Sequence, residues 1–272
     1  MSLESDQLHY YFKMNQNAWD KKTPVHFASP LYNVDEVKKG GTSLNKIEID
    51  DLGDVSNKRI LHLQCHFGLD SISLTKMGAE VLGVDFSTMA IEQARKLAKE
   101  LNVSTKFLAA NIYDDFDKKV KRNFDIVFSS YGSICWLPDL DGWAKVISKM
   151  LVKDGFFYIV DFHPLLHSFD CLLSDTKRSY FYTDEPFKRE WKGTYADYDN
   201  DLETMEYNWN HSIAEILGSL RNNGLTIIDF QELPFLPQNW FPNLVKGEDG
   251  LYRVKGYETI YPLLFSIKAI KL

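Results

Sequence analysis

Along this chain the spacing of apolar positions switches repeatedly between a strand-like and a helical period, and the switches mark out the elements. Residues 60–63 form a short apolar run that opens into Gln64, Cys65, His66, Phe67 and Gly68. Residues 70–76 then read as a helix that Gly78 stops. A second run, 81–84, ends on Asp85, and Ser87 stands as N-cap to a helix whose apolar face is Ile91, Ala94, Leu97, Ala98 and Leu101. The unit is βαβα. Its first turn is shaped to cradle a nucleotide-like ligand, and its second strand ends on a carboxylate placed to accept ribose hydroxyls, about 20 residues past the turn.

The same pattern predicts strands at 105–109, 124–128, 156–162, 225–230 and 263–270. A helix follows the fourth strand, with Trp143, Val146, Ile147 and Met150 on one face. Another is expected over 209–221, with Ile213, Ile216, Leu217 and Leu220 on its face and Gly224 as its stop. Right-handed crossovers bring the C-terminal strand ends to one rim, where open α/β sheets bind ligands. That rim gathers the 64–68 turn, Asp85, Asn111, Tyr131, the segment after His163 and the loop after the sixth strand. Before residue 57, Trp19, His26, Phe27, Tyr32 and Val34 are separated by polar residues, Pro24 and Pro30, which predicts a helical arm outside the sheet. The aromatic stretch 163–208 shows no clear period, and 232–261 is a second aromatic connection. Segments this long inside a compact domain carry function or structure of their own.

The series ILHLQCHFGLD and GAEVLGVDFSTMAIEQAR resembles motifs I and II of the class I S-adenosylmethionine-dependent methyltransferases. The run FDIVFSSYGSICWLPDLDGWAKVISKMLVKDGFFYIVDFHP resembles that family's fourth and fifth strands, with Lys153-Asp154-Gly155 in place of its usual Pro-Gly-Gly turn. The resemblance implies a doubly wound, mostly parallel seven-stranded sheet with the last strand antiparallel, forming a domain over 58–272 behind an arm or lid at 1–57. It also implies S-adenosylmethionine as cofactor and methyl transfer to a small molecule. The cofactor contacts it carries over are Gln64, His66, Gly68, Asp85, Phe86, Ser87, Asn111, Ile112, Ser129 and Tyr131. Where the family has an acid and two glycines, this chain has His62, Gln64 and His66. A side chain at 64 and 66 requires either that φ not be positive there or that the methionine tail approach differently. Asn111 stands for the family's adenine-binding acid, and its carbonyl accepts the same hydrogen bond without charge.

Composition narrows the function further. The 272 residues are 44% hydrophobic and 25% charged, ordinary globular material, and a net charge of −7 argues against a broad nucleic-acid surface. No run reaches membrane-span or signal-peptide length, and three cysteines, Cys65, Cys135 and Cys171, lack metal-like spacing, so a cytoplasmic protein is expected. No metal site is expected: Pro164 separates His163 from His167, and the Asp197, Asp199, Asp201 series lacks the glycine and closing glutamate of a calcium loop. A nicotinamide-dependent oxidoreductase would need more glycines in the first turn, and a non-catalytic cofactor-binding protein is the other alternative. The substrate pocket is expected to include Trp19, Tyr195, Trp209, Asn210 and Trp240. His211, placed by the pattern in the first turn of a helix at the rim, and His163 at a strand end are the candidates for accepting a proton, with Tyr195 and Asp161 behind them. Oligomeric state is not legible.

Overall fold

In a computed structural model, residues 5–114, 116–120, 123–169 and 178–272 are described. Three helices come first: α1 (Ser5–Ala28), α2 (Val34–Lys38) and α3 (Lys46–Leu52). The βαβα unit follows as β1 (Arg59–Leu63), α4 (Leu69–Lys76), β2 (Glu80–Asp85) and α5 (Thr88–Glu100), and then come β3 (Lys106–Ala109), α6 (Phe116–Lys119) and β4 (Phe124–Ser130). Next are α7 (Leu140–Met150), β5 (Leu151–Phe162), α8 (Pro164–Ser168), β6 (Phe187–Lys192) and β7 (Glu203–Asn208). The chain closes with α9 (Ile213–Asn222), β8 (Leu225–Leu233), β9 (Leu244–Lys246), β10 (Tyr252–Val254) and β11 (Leu264–Lys271).

Seven strands form one sheet in the order β3-β2-β1-β4-β5-β11-β8, parallel except for β11, which runs antiparallel to both β5 and β8. The switch in order between β1 and β4 opens a crevice at their C-terminal ends. Both sheet faces are covered. On one, Trp143, Ile147, Phe157, Ile216, Leu220 and Phe265 are buried between the sheet, α7 and α9. On the other, Ile60, Ile126, Phe128, Tyr158 and Val160 pack with Leu52 of α3. Fully burying side chains of this size contributes roughly 1.5–3 kcal/mol each, which fixes the sheet as a rigid base for the crevice.

The structure departs from the sequence pattern in four places. The helix expected from 209 begins at Ile213, because Ser212 and Glu215 form a capping box there, and Trp209 is instead tied to the Cys135 carbonyl by its N–H at 2.9 Å. The fifth strand starts at Leu151. Lys153-Asp154-Gly155 is not a turn but an irregularity within it, with Asp154 at φ 62° and a register shift opposite Phe124 and Ile126. The 163–208 insertion contains a regular antiparallel hairpin, β6 with β7, and the 232–261 connection contains another, β9 with β10.

Candidate active site

The turn after β1 folds around Asp85. One carboxylate oxygen accepts the His66 N–H and the other the Ser87 N–H, both at 2.8 Å, so the acid at the end of β2 fixes the turn and the start of α5 together. Gln64 and His66 both have positive φ, 55° and 50°, as does Gly68 at 77°. Of the two expectations for a side chain here, the one requiring φ not to be positive fails. The left-handed backbone is kept at a cost of roughly 1–2 kcal/mol per residue, and local bonds hold it. Gln64 Nε2 donates to the Ser133 carbonyl at 3.0 Å, and the His66 ring packs on Trp19 and Phe67, with centroids 5.0 and 4.3 Å away. At Gly68 a Cβ would collide with the Phe107 ring, so only glycine fits. Burial raises the Asp85 pKa to about 6 against the two N–H donors that favour its charge.

The arm lies over this turn. Asp20 on α1 accepts from the Ser87 hydroxyl at 2.6 Å and from the Met89 N–H at 3.0 Å, capping α5 from outside, while Gln16 Nε2 donates to the Phe86 carbonyl at 2.5 Å. His26 Nδ1 lies 3.2 Å from His66 Nε2, and burial lowers the pKa of both rings, that of His66 to about 3, so both are neutral at pH 7. The Tyr32 and Tyr195 hydroxyls bond each other, joining the arm to the insertion. On the opposite side Asp161, at the end of β5, accepts from the N–H groups of Gly132, Ser133, Ile134 and Phe162 and from the Ser133 hydroxyl, which sets the loop after β4.

These walls enclose a cavity of about 440 Å³. Of the residues expected from sequence, Trp19, Gln64, His66, Gly68, Asp85, Phe86, Asn111, Ile112, Tyr131, Tyr195 and Trp240 line it. Asn111 Oδ1 accepts the Tyr113 N–H at 3.1 Å and so closes its own turn. The others stand elsewhere. The Ser87 hydroxyl is spent on capping, between the Ala90 N–H and Asp20. Ser129 is fully buried, and Ser130, next along the strand and on its other face, reaches the cavity instead. Trp209 packs on Tyr11 in a separate aromatic cluster, and Asn210 is tied to the Pro164 and Ser179 carbonyls.

Neither histidine proposed as proton acceptor faces the cavity. His211 precedes the N-cap, so the helix dipole argument does not apply to it. Its Nε2 lies 2.6 Å from the Leu137 carbonyl, which makes that nitrogen a donor, and its ring stacks on Tyr182. His163 caps α8 with one nitrogen, which accepts the Leu165 N–H at 3.2 Å, and meets Glu232 with the other at 2.8 Å. Asp161 is fully occupied by the five donors named above. Cys65 and Cys135 are buried and unpaired, and Cys171 lies outside the described residues. Among the described residues no group of three or more metal-ligating side chains occurs.

The cavity also contains residues that the sequence pattern did not single out. Asp70, in the first turn of α4, takes hydrogen bonds from Ser43 at 2.6 Å and Ser130 at 3.0 Å and places a carboxylate at the cavity close to where the family's motif I acid is replaced by His62. Lys22 of α1 forms a buried ion pair with Glu206 of β7, and Arg189 and Trp191 of β6 stand on the same face of the hairpin. The alternation in FKREWK and ETMEYN was the available signal for that face.

A family model described as a methyltransferase domain matches residues 60–155, the span from β1 into the start of β5 that contains the turn and Asp85. Residues 60–155 thus form a methyltransferase domain, and the fold around it is similar to that of S-adenosylmethionine-dependent methyltransferases. The ubiquinone biosynthesis O-methyltransferase of Pelagibacter ubique is 27% identical over 173 residues, 62% of this methyltransferase and 69% of that protein. A methyltransferase structure from Methanosarcina mazei superposes with a TM-score of 0.55 at 19% identity, covering 84% of this chain and 98% of that one. The geranyl diphosphate C-methyltransferase of Streptomyces coelicolor, solved with S-adenosylhomocysteine, gives 0.53 at 15% identity over 84% and 78%.

The walls of the methyltransferase cavity fit its cofactor. Asp85 presents a buried carboxylate at the position suited to a ribose diol, and Gln64 Oε1 is a buried acceptor at the cavity wall with no donor among the described residues. An ammonium group is the kind of donor that such an oxygen lacks.

Proposed function

We propose that this enzyme methylates a small molecule enclosed between the arm at 1–57, the 163–208 insertion and the 232–261 connection, on a methyltransferase domain spanning 58–272. One observation carries the reading: the motif turn and Asp85 open into the same aromatic-walled cavity that Trp19, Tyr195 and Trp240 close from the other elements. A pocket of this volume suits a cofactor tail and a small acceptor, not a polymer. The names of the Pelagibacter and Streptomyces proteins, which act in ubiquinone biosynthesis and on geranyl diphosphate, agree with an acceptor of that size.

S-adenosylmethionine supplies a sulfonium methyl that passes to an acceptor lone pair as the sulfur keeps the bonding electrons. The protein's part is alignment and exclusion of water, for which effective molarity is the main source of rate. Asp85, Asn111 and Ile112 hold the nucleoside end, Gln64 and Asp70 the methionine end, and the Trp19, His26 and His66 rings pack over the turn. With His163 and His211 engaged elsewhere, we assign no protein base, and an acceptor proton is released to solvent once transfer is complete. No helix among the described residues is long and apolar enough to cross a membrane, and Cys65 and Cys135 are unpaired, which supports a cytoplasmic location. The test is calorimetric titration with S-adenosylhomocysteine, followed by transfer of labelled methyl to a small-molecule extract. Binding at micromolar concentration with label in the low-mass fraction is expected. Absence of binding, or label only in macromolecules, refutes the reading.

A further inference from the structure

Charge is divided between the cavity walls. Asp70 and Asp85 face it from the elements around β1 and β2. On the hairpin side stand Lys22, Arg178 and Arg189, with Glu206 as the acid among the described residues there. The hairpin register explains the arrangement. Arg189 lies directly opposite Glu206, and Trp191 follows Arg189 on the same face, so the Arg189 guanidinium stacks 3.5 Å above the Trp191 ring. Lys22 reaches the same place from α1, paired with Glu206 and 6.0 Å from the Trp191 centroid. Arg178 stacks 3.7 Å above Phe187, one pair further along that face. A guanidinium stacked through its π face carries its five N–H donors in the ring-parallel plane, in a fork that matches the two oxygens of a carboxylate or phosphate.

We infer that the methyl acceptor is an anionic small molecule whose carboxylate, phosphate or phosphonate group is held at the Arg178, Arg189 and Lys22 wall. The inference rests on the small-molecule methyl transfer proposed above and adds the charge of the acceptor to it. It asks of the two arginines only that they face the cavity, whatever else they bond within the chain. The division of charge suits two ligands of opposite sign: the sulfonium cofactor beside Asp70 and Asp85, the anion beside the arginines. The aromatic lining beside them, Trp191 and Trp19 above all, suits a ring carrying that anion.

The probes are benzoate and phenylphosphonate, set against benzamide and benzylamine, each titrated by NMR saturation transfer into the protein with and without S-adenosylhomocysteine. One of the two anions is expected to bind at least tenfold more tightly than either uncharged or cationic ring, and the tighter anion names the acceptor group. Arg189→Gln should abolish that preference while leaving the dissociation constant of S-adenosylhomocysteine within twofold, and Arg189→Lys should retain part of it. Three results overturn the inference: equal or tighter binding of benzamide or benzylamine, an undiminished preference in Arg189→Gln, or a loss of S-adenosylhomocysteine affinity in that variant as large as the loss of anion affinity. The last would assign these cations to the cofactor's own carboxylate. If Arg189→Gln fails to fold, Arg178→Gln is read by the same criteria. Failure of the wild-type protein to bind S-adenosylhomocysteine would count against the methyl transfer alone, since the anion preference is also measured without it.

Discussion

Asp85 links the fold, the cofactor and pH in one group, and the link can be measured. Burial raises its pKa from 3.8 to about 6, so between those values the folded protein binds a proton that the unfolded chain does not. Stability of the empty protein therefore falls as pH rises from about 4 to about 6, by about 3 kcal/mol at roughly 1.4 kcal/mol per unit. In the proposed contact ribose hydroxyls donate to the ionised carboxylate, so binding runs the other way: it draws on the charged form and weakens as pH falls through 6. At pH 5 about one-tenth of the empty protein carries the charge, which predicts an affinity for S-adenosylhomocysteine about tenfold weaker than at pH 8. Asp85→Asn removes the titrating group and flattens this dependence. It should also weaken binding at pH 8 by roughly 2–3 kcal/mol, the worth of charge-assisted hydrogen bonds. Glu48, buried and with its pKa raised to about 7, titrates nearby in pH, but its carboxylate closes the α3 capping box and does not line the cavity, so the variant isolates Asp85. Isothermal titration at pH 5, 6, 7 and 8 in wild type and variant decides the matter. An unchanged affinity in Asp85→Asn, or the same pH slope in both proteins, would refute the ribose contact.

Two further variants test what holds the walls. Lys22→Met leaves Glu206 buried beside Arg189 alone and should cost about 3 kcal/mol in urea unfolding, the low end for breaking a buried pair, while Lys22→Met with Glu206→Leu should recover at least half of that. Asp161→Asn turns an acceptor of five hydrogen bonds into a group with one oxygen and two unwanted donors. A loss of about 2–3 kcal/mol is expected, seen as a melting point roughly 5–10 °C lower by scanning calorimetry, and an unchanged melting point would show that the loop after β4 is held by other contacts.

What the sequence made legible was local or topological. The distance from the 64–68 turn to Asp85 is set by one helix, and the crossover rule then carries Asn111 and Tyr131 to the same rim. That rule locates strand ends but not side-chain directions. It therefore brought His163 and His211 to the rim without showing that the Leu137 carbonyl and Glu232 would take their nitrogens. The Ser212–Glu215 capping box was present in the sequence, but the apolar Trp209 extended the helical period past it. The β6–β7 hairpin was hidden for a different reason. Its cavity face mixes Arg189 and Glu206 with Trp191, and charged residues also fill the other face, so the two-residue period is hard to see. The pairing of Lys22 with Glu206 joins segments far apart in the chain, and nothing in either segment announces it.

The arm explains why the first motif departs from glycine. Asn15 of α1 accepts the Tyr207 N–H and donates to the Tyr207 carbonyl, both at 2.8 Å, so a side-chain amide completes the free edge of β7 as a neighbouring strand would. The same helix holds Glu206 through Lys22, while Ser29, just past its end, donates to the Ala196 carbonyl at 2.8 Å. Its other flank grips the cofactor side through Asp20 and Gln16. One helix thus braces the β6–β7 hairpin and the start of α5 at once. His66 is where this brace meets the turn, its ring against Trp19 and His26, and Gln64 ties the turn to the loop that Asp161 organises. Glycine at 64 and 66 would relieve the left-handed strain but leave both attachments unmade. The side chains recover roughly what the backbone loses, since a net hydrogen bond contributes about 1 kcal/mol and an aromatic contact about the same. This chain uses those two positions to fasten the turn to the loop after β4 and to the arm that braces the hairpin.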